Sequence, residues 1–238
     1  MDEDGASTKQ RIVRAALDLL NAGGREAVST RAVSAAAGVQ PPTIYRQFGD
    51  MRGLLDAVAS HGFAAYLHAK TDGARAGDPV EELRRGWDRH VAFGLDNPAL
   101  YVLMYGDPRP GVTSSGARAA AAILHELVRR VAAAGRLRIA VKEAAQLLHA
   151  AGRGVTLTLI AAAPEERDAT LAARAREAVL AAVTTAAPAE RHPPAGTGAA
   201  IVHAIALRAA PPAVTAALTP AERLLLDEWL DRIARTGD

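Results

Sequence analysis

The sequence predicts an all-α protein. Half of its 238 residues are hydrophobic, and alanine, a strong helix former, is the dominant residue type. Apolar residues recur at spacings of three and four, the period of a helix face. No segment alternates apolar and polar residues as a half-buried strand would. The length suits one large or two small domains, and the apolar content argues against wholesale disorder.

Each element has its own signals. A first helix is expected from Ser7, where Ser7-x-x-Gln10 fits a capping box. Its inner stripe is Ile12, Val13, Ala16, Leu17 and Leu20, and Gly23-Gly24 ends it. Ser29 is the expected N-cap of a second helix, with Val28 and Val33 placed as a hydrophobic staple. That helix stops at Gly38. A short third helix carries Pro41 and Pro42 in its first turn, where proline's missing donor costs nothing. Asp50 caps a long fourth helix with Leu54, Leu55, Val58, Phe63, Tyr66 and Leu67 as core residues. Gly77-Asp78-Pro79 opens a fifth, which Asn97-Pro98 closes or kinks, and a short helix follows near 99–105. The stretch Gly106–Gly116 is expected to be a loop. Helices are then expected over 117–134, 141–163 and 165–186, separated by Gly135 and Pro164. A second loop covers Pro188–Gly198, and two more helices fit 199–209 and 220–235.

The absence of cysteine excludes disulfides, thiolate catalysis and cysteine-ligated metals. The apolar, uncharged run Gly154–Ala163 is too short to span a bilayer. The opening Met1-Asp2-Glu3-Asp4 lacks the pattern of a signal peptide. The expectation is a cytoplasmic protein without membrane attachment. The net charge of +2 says little, but its distribution says more. Between Thr8 and Leu55, seven basic residues (Lys9, Arg11, Arg14, Arg25, Arg31, Arg46, Arg52) face three acidic ones (Asp18, Glu26, Asp50). A basic head points weakly to nucleic acid.

Ser29–Phe48 has the dimensions of a helix-turn-helix. Ala36 and Ala37 are small enough for a close helix crossing. Ile44 and Phe48 are expected to face a three-helix core with Val33, Ile12 and Leu17. Gln40, Pro41, Thr43, Tyr45, Arg46 and Gln47 are then left on the outer surface or its margins, with groups suited to base edges and phosphates. On local pattern alone, a solvated turn between two core helices is the other reading.

From Lys9 to Leu67 the chain resembles the TetR family of bacterial transcription regulators. The resemblance rests on Ile12, Ala16-Leu17, Leu20 and Gly23, then Ser29–Val39, then Pro42-Thr43-Ile44-Tyr45-Arg46-Gln47-Phe48, and Leu54-Leu55. It implies a third helix in the major groove of a palindromic operator. Thr30 and Arg31 would touch phosphates, Thr43 and Tyr45 would sit on the backbone, and Gln40 and Arg46 would read bases. Pro41 can make only apolar contact, for example with a thymine methyl. Lys9, Pro42 and Arg52 complete the expected DNA-contact set. One departure stands out: where the family usually carries a phosphate-gripping lysine at the start of the fourth helix, this chain has Met51. Arg52 follows about 100° further around the helix.

The resemblance also implies that the remaining helices bind a small-molecule inducer and form a homodimer. The expected architecture is a helix-turn-helix domain over 1–52, joined by a long helix to a ligand-binding and dimerisation domain over 53–238. Scarce aromatics cluster in one segment, Trp87, Phe93, Tyr101 and Tyr105, together with Met104. With Phe63, Tyr66 and His149 they are the expected walls of an apolar pocket; core filling is the alternative. Ala151, Gly152, Val155 and Leu159 form one stripe, and Leu171, Ala175, Ala178 and Ala182 another. Small residues of this kind permit close packing across a two-fold axis or within the chain.

No histidine pair has metal-ligand spacing. Gly196-x-Gly198 lacks a preceding strand, and Gly111–Gly116 lacks the spacing of a nucleophile elbow. The expectation is a non-enzymatic, cofactor-free, ligand-relieved repressor. The alternative is an α-helical interaction protein of the same fold that has lost DNA binding.

Overall fold

The computed structural model describes residues 2–69, 77–106, 110–185, 197–210 and 212–235. Among these residues it has eleven α-helices and no named strand. They are α1 (Asp2–Ala27), α2 (Thr30–Ala37), α3 (Pro41–Phe48), α4 (Met51–Ala69), α5 (Pro79–Asp96), α6 (Pro98–Tyr105), α7 (Ser115–Ala133), α8 (Val141–Ala161), α9 (Leu171–Val183), α10 (Thr197–Arg208) and α11 (Pro220–Ala234). The all-α class is as expected. No described helix is long and apolar enough to cross a membrane.

Several boundaries differ from the sequence expectation. α1 starts at Asp2 rather than Ser7. Its helical geometry breaks at Gly23 and Gly24, as expected, and one further turn follows to Ala27. The helix expected over 165–186 is shorter at both ends. A 3-10 turn occupies Pro164–Glu166. The Asp168 side chain then accepts from the Thr170 N–H and hydroxyl, at 2.8 and 2.7 Å, in a local turn that competes with helix. At the other end Thr184 is extended (φ −117°, ψ 154°) and bridges to Leu137. A second 3-10 turn, Pro212–Thr215, was not among the expected elements. Most of the loop expected over Pro188–Gly198, and 107–109 of the first loop, lie outside the described residues.

The chain divides into two compact units. The first comprises 1–73, 92–120 and 157–163. In it α1 packs on α2, α4 and α6, and α3 packs on α4. Its core includes Ile12, Ala16, Leu20, Val33, Ile44, Leu54, Val58, Leu100 and Tyr101. Leu17 and Phe48 are partly buried against this core. Leu67, expected in the core, is 37% exposed. Ala36, expected at the helix crossing, is exposed, while Ala37 is partly buried against the core. One long-range tie joins α4 to the start of α7. Asp56 accepts from the Ser115 N–H at 2.7 Å and from its hydroxyl at 2.8 Å.

The second unit comprises 74–91, 121–156 and 164–238. Its core includes Leu83, Val128, Val131, Leu137, Leu148, Leu180 and Val183. The indole of Trp87 donates to the Ala172 carbonyl at 3.1 Å, satisfying the one polar group a buried tryptophan carries. α11 opens with a capping box at Thr219 and Glu222 and packs on α10.

Candidate nucleic-acid interface

The helix-turn-helix is built by local devices. The Ser29 hydroxyl accepts from the Ala32 N–H at 3.2 Å, capping α2. Gly38 closes α2 in the left-handed region (φ 64°, ψ 39°), where any β-carbon would be strained. The N–H of Val39 then reaches back to the Ser34 carbonyl at 3.0 Å, as a helix C-cap requires. Pro41 and Pro42 occupy the first turn of α3. The pivot is apolar: Val33 and Ile44 are fully buried.

This burial leaves the other side of α3 free. Gln40, Pro41, Pro42, Tyr45 and Arg46 are exposed, and Thr43 and Gln47 are half-buried. On α2, Arg31 is exposed and Thr30 is half-buried. The Thr30 hydroxyl lies 3.2 Å from the Tyr45 hydroxyl, linking the two helices across the outer face. Fifteen residues separate the pair, and no local pattern announces it. Arg31 and Arg46 have no carboxylate partner among the described residues.

Two other expected contacts are engaged within the chain. The Lys9 ammonium lies 5.6 Å from the centre of the Phe48 ring, a cation over an aromatic face. Arg52 has a side chain 77% exposed, and its Nε lies 3.3 Å from Asp50. Asp50 meanwhile caps α4, accepting from the Gly53 N–H at 2.8 Å. That bond, more than Arg52, holds the carboxyl below its ordinary range. Met51 is partly buried against the core.

The residues expected to line a pocket fall in both units. In the first, Phe63, Phe93, Tyr101, Met104 and Tyr105 are buried and Tyr66 is half-buried. Phe93 lies at ring-centre distances of 5.3 Å from Phe63, 4.8 Å from Tyr66 and 6.1 Å from Tyr101. Tyr101 and Tyr105 stand 4.7 Å apart. Trp87 and His149 belong to the second unit. Burial pushes His90 down to about 4, with His149 adding to the effect. His149 is lowered too, first by burial and then by Arg153. The structure also contains an open cleft of about 580 Å³ lined by Lys9, Gln47, Phe48, Asp56, His61 and Ser115 among others; the expected pocket residues do not line it.

Of the two small-residue stripes, Ala178 and Ala182 on α9 are exposed. Ala151, Val155, Leu171 and Ala175 are half-buried. Gly152 and Leu159 are buried within the chain. A β-carbon on Gly152 would stand 3.5 and 3.6 Å from His90 and Trp87, so this glycine packs α8 against α5.

Comparison with known proteins places these features. Residues 12–58 match the family described as bacterial regulatory proteins, tetR family. The tetracycline repressor protein class A from transposon 1721 of Escherichia coli is 48% identical over 48 residues, 20% of this chain and 22% of that protein. The class C repressor of Escherichia coli is 43% identical over 51 residues, 21% of this chain and 23% of that protein. These matches therefore span less than a quarter of either repressor. The fold match is wider. A structure described as a putative tetR family transcription regulator from Shewanella sp. PV-4 covers 75% of this chain and 99% of its own at 21% identity, with a TM-score of 0.57. A glutamine-to-alanine variant of TetR from Acinetobacter baumannii AYE in complex with minocycline covers 71% of this chain and 90% of its own at 22% identity, with a TM-score of 0.52.

Proposed function

Because the chain belongs to the TetR family of bacterial regulatory proteins, we propose that it is a ligand-responsive transcriptional regulator. In this reading it is a homodimeric, cytoplasmic repressor that binds a palindromic operator and is released by a small hydrophobic molecule. One observation carries the DNA-binding part: burial of Val33 and Ile44 leaves Gln40, Tyr45 and Arg46 together on the solvent side of α3. Gln40 and Arg46 are the base readers, since amide and guanidinium groups match base edges in pairs. Thr30, Arg31, Thr43 and Tyr45 hold phosphates. The Thr30–Tyr45 link supports this role by presetting two hydroxyls before DNA arrives.

In a two-fold dimer the α3 helices enter successive major grooves about 34–36 Å apart. An inducer among the aromatics acts by favouring a dimer whose heads do not fit that spacing, which requires different contacts in the two states. The exposed small residues of α9 support it as part of the dimer face.

Met51 favours a second reading, a protein of this fold without DNA binding. A gel shift with the DNA upstream of the protein's own gene separates the two. A specific, salt-sensitive shift supports the regulator, and binding no stronger than to unrelated DNA refutes it.

A further inference from the structure

The second unit contains a cleft built around three arginines. Gly135 (φ 66°) closes α7 and turns the chain into the strip Arg136-Leu137-Arg138. This strip pairs with the end of α9. The Arg138 N–H donates to the Val183 carbonyl at 2.9 Å, and the Thr185 N–H donates to the Arg136 carbonyl at 3.0 Å. Leu137 and Thr184 form the antiparallel bridge between them. Extended backbone sends successive side chains to opposite faces. Leu137 is accordingly fully buried, and Arg136 and Arg138 both turn to the other side. There, with Arg84, they line a cleft of about 350 Å³ whose apolar wall includes Val80, Leu180 and Ala181.

The three guanidiniums are not equivalent. Every nitrogen of Arg84 is engaged, Nε and Nη2 with Glu177 and Nη1 with Glu81. Arg136 holds Asp78 through Nη1 and the Thr185 carbonyl through Nη2. Its Nε is buried without an acceptor among the described residues. Arg138 is anchored only at Nε, which donates to the Thr184 carbonyl at 2.7 Å. Both its terminal nitrogens lack an acceptor among the described residues, as does the Thr185 hydroxyl. The carboxylate in the lining, Glu177, is held down to about 2, chiefly by Arg84 and further by Arg176. Two guanidiniums therefore already compensate its charge.

We propose that this cleft binds a small amphiphilic monoanion, a carboxylate on a short hydrocarbon body. The carboxylate sits on the free fork of Arg138 and the hydrocarbon lies against Val80, Leu180 and Ala181. A planar guanidinium with two free N–H donors matches the two oxygens of a carboxylate. Among the described residues Arg138 is the lining cation without a carboxylate partner, and it balances one negative charge; a phosphate dianion needs a second, and Arg84 and Arg136 are already paired. The volume lies at the small end of ligand sites, which selects a short body. None of its lining residues belongs to the helix-turn-helix or to the expected aromatic set.

The test is calorimetric titration of the full chain, without DNA, with hexanoate, hexanol and hexyl phosphate as probes. Saturable hexanoate binding is expected, with no saturable heat from hexanol. Arg138→Gln weakens hexanoate by at least about tenfold, as loss of a charged hydrogen-bond pair does, and Arg138→Lys falls between. Thr185→Val, which keeps the backbone pairing, weakens it by a smaller factor. A thermal melt confirms that each variant is folded. No saturable hexanoate binding to the wild type, or equal affinity in folded Arg138→Gln, overturns the site. Tighter binding of hexyl phosphate overturns the carboxylate assignment. Because no DNA is present, failure here leaves the operator reading intact, and Arg138→Gln should retain the wild-type gel shift.

Discussion

Replacement of Arg52 by glutamine tests how the head compensates for Met51. In the free protein Arg52 is tied to Asp50 at 3.3 Å, but its side chain is 77% exposed. Solvent screens so exposed a pair, and it is too weak to keep a guanidinium from a DNA phosphate. Its departure does not unmake the α4 cap, because the Gly53 N–H holds Asp50 independently at 2.8 Å. Arg52 is therefore expected to swing onto the backbone when operator binds. Each phosphate neutralised contributes about 0.9 to the slope of log affinity against log salt. Two heads on one palindrome make about 1.8, which over a fourfold rise in salt corresponds to roughly a twelvefold difference in affinity loss. Arg52→Gln should flatten the slope by that amount, measured by fluorescence anisotropy on a labelled operator between 50 and 200 mM salt, concentrations on the scale where counterion release is read. Met51→Lys should steepen the slope by a similar amount, since lysine's stem can keep the partly buried position while its ammonium reaches out. The double variant should return near the wild-type slope. If Arg52→Gln leaves the slope unchanged, Arg52 does not reach DNA and the compensation argument fails.

Arg46→Ala should cost about 1–3 kcal/mol on the operator and relax specificity at one base position, whereas Arg31→Ala should weaken all sequences alike and flatten the salt slope; indistinguishable salt titrations of the two would refute separate roles. Asp56→Ala should destabilise the first unit by about 2 kcal/mol, because it leaves the Ser115 N–H at the start of α7 without its acceptor. Urea denaturation followed by circular dichroism measures this, and a change within about 0.5 kcal/mol, the range of an ordinary surface substitution, speaks against the tie. Stability should fall as pH drops from about 6.5 towards 4, because His90 is lowered to about 4 in the folded chain and takes up its proton more readily when unfolded. The loss is up to about 3 kcal/mol, with His149 acting in the same direction. Carboxylates such as Glu177, lowered in the fold from 4.5 to about 2, lose their contribution only as pH falls below about 4.5. A melting temperature flat between pH 6.5 and 5 would refute the histidine assignment.

The helix-turn-helix was legible because its signals are local. Ser29, Gly38, Pro41-Pro42 and Asp50 each act within one turn of chain, through a hydroxyl, a left-handed backbone, a fixed φ and a carboxylate. The period of Val33, Ile44 and Leu54 fixed which sides face inward, and therefore which residues of α3 remained outside. Other features depended on partners distant in sequence. Alanine-rich helix propensity runs across Thr184 without a break, yet the helix ends there because Leu137 supplies a bridging partner 47 positions away. Gly152 could equally have served a second subunit; what places it inside is Trp87 and His90 on another helix. The Thr30–Tyr45 and Asp56–Ser115 ties have no periodic signature, because a single hydrogen bond between two helices leaves no repeat in either. The sequence by itself determined where helices could begin and which faces were apolar. The tertiary structure decided which of those faces met, since small apolar residues pack acceptably against many partners and only simultaneous burial selects among them.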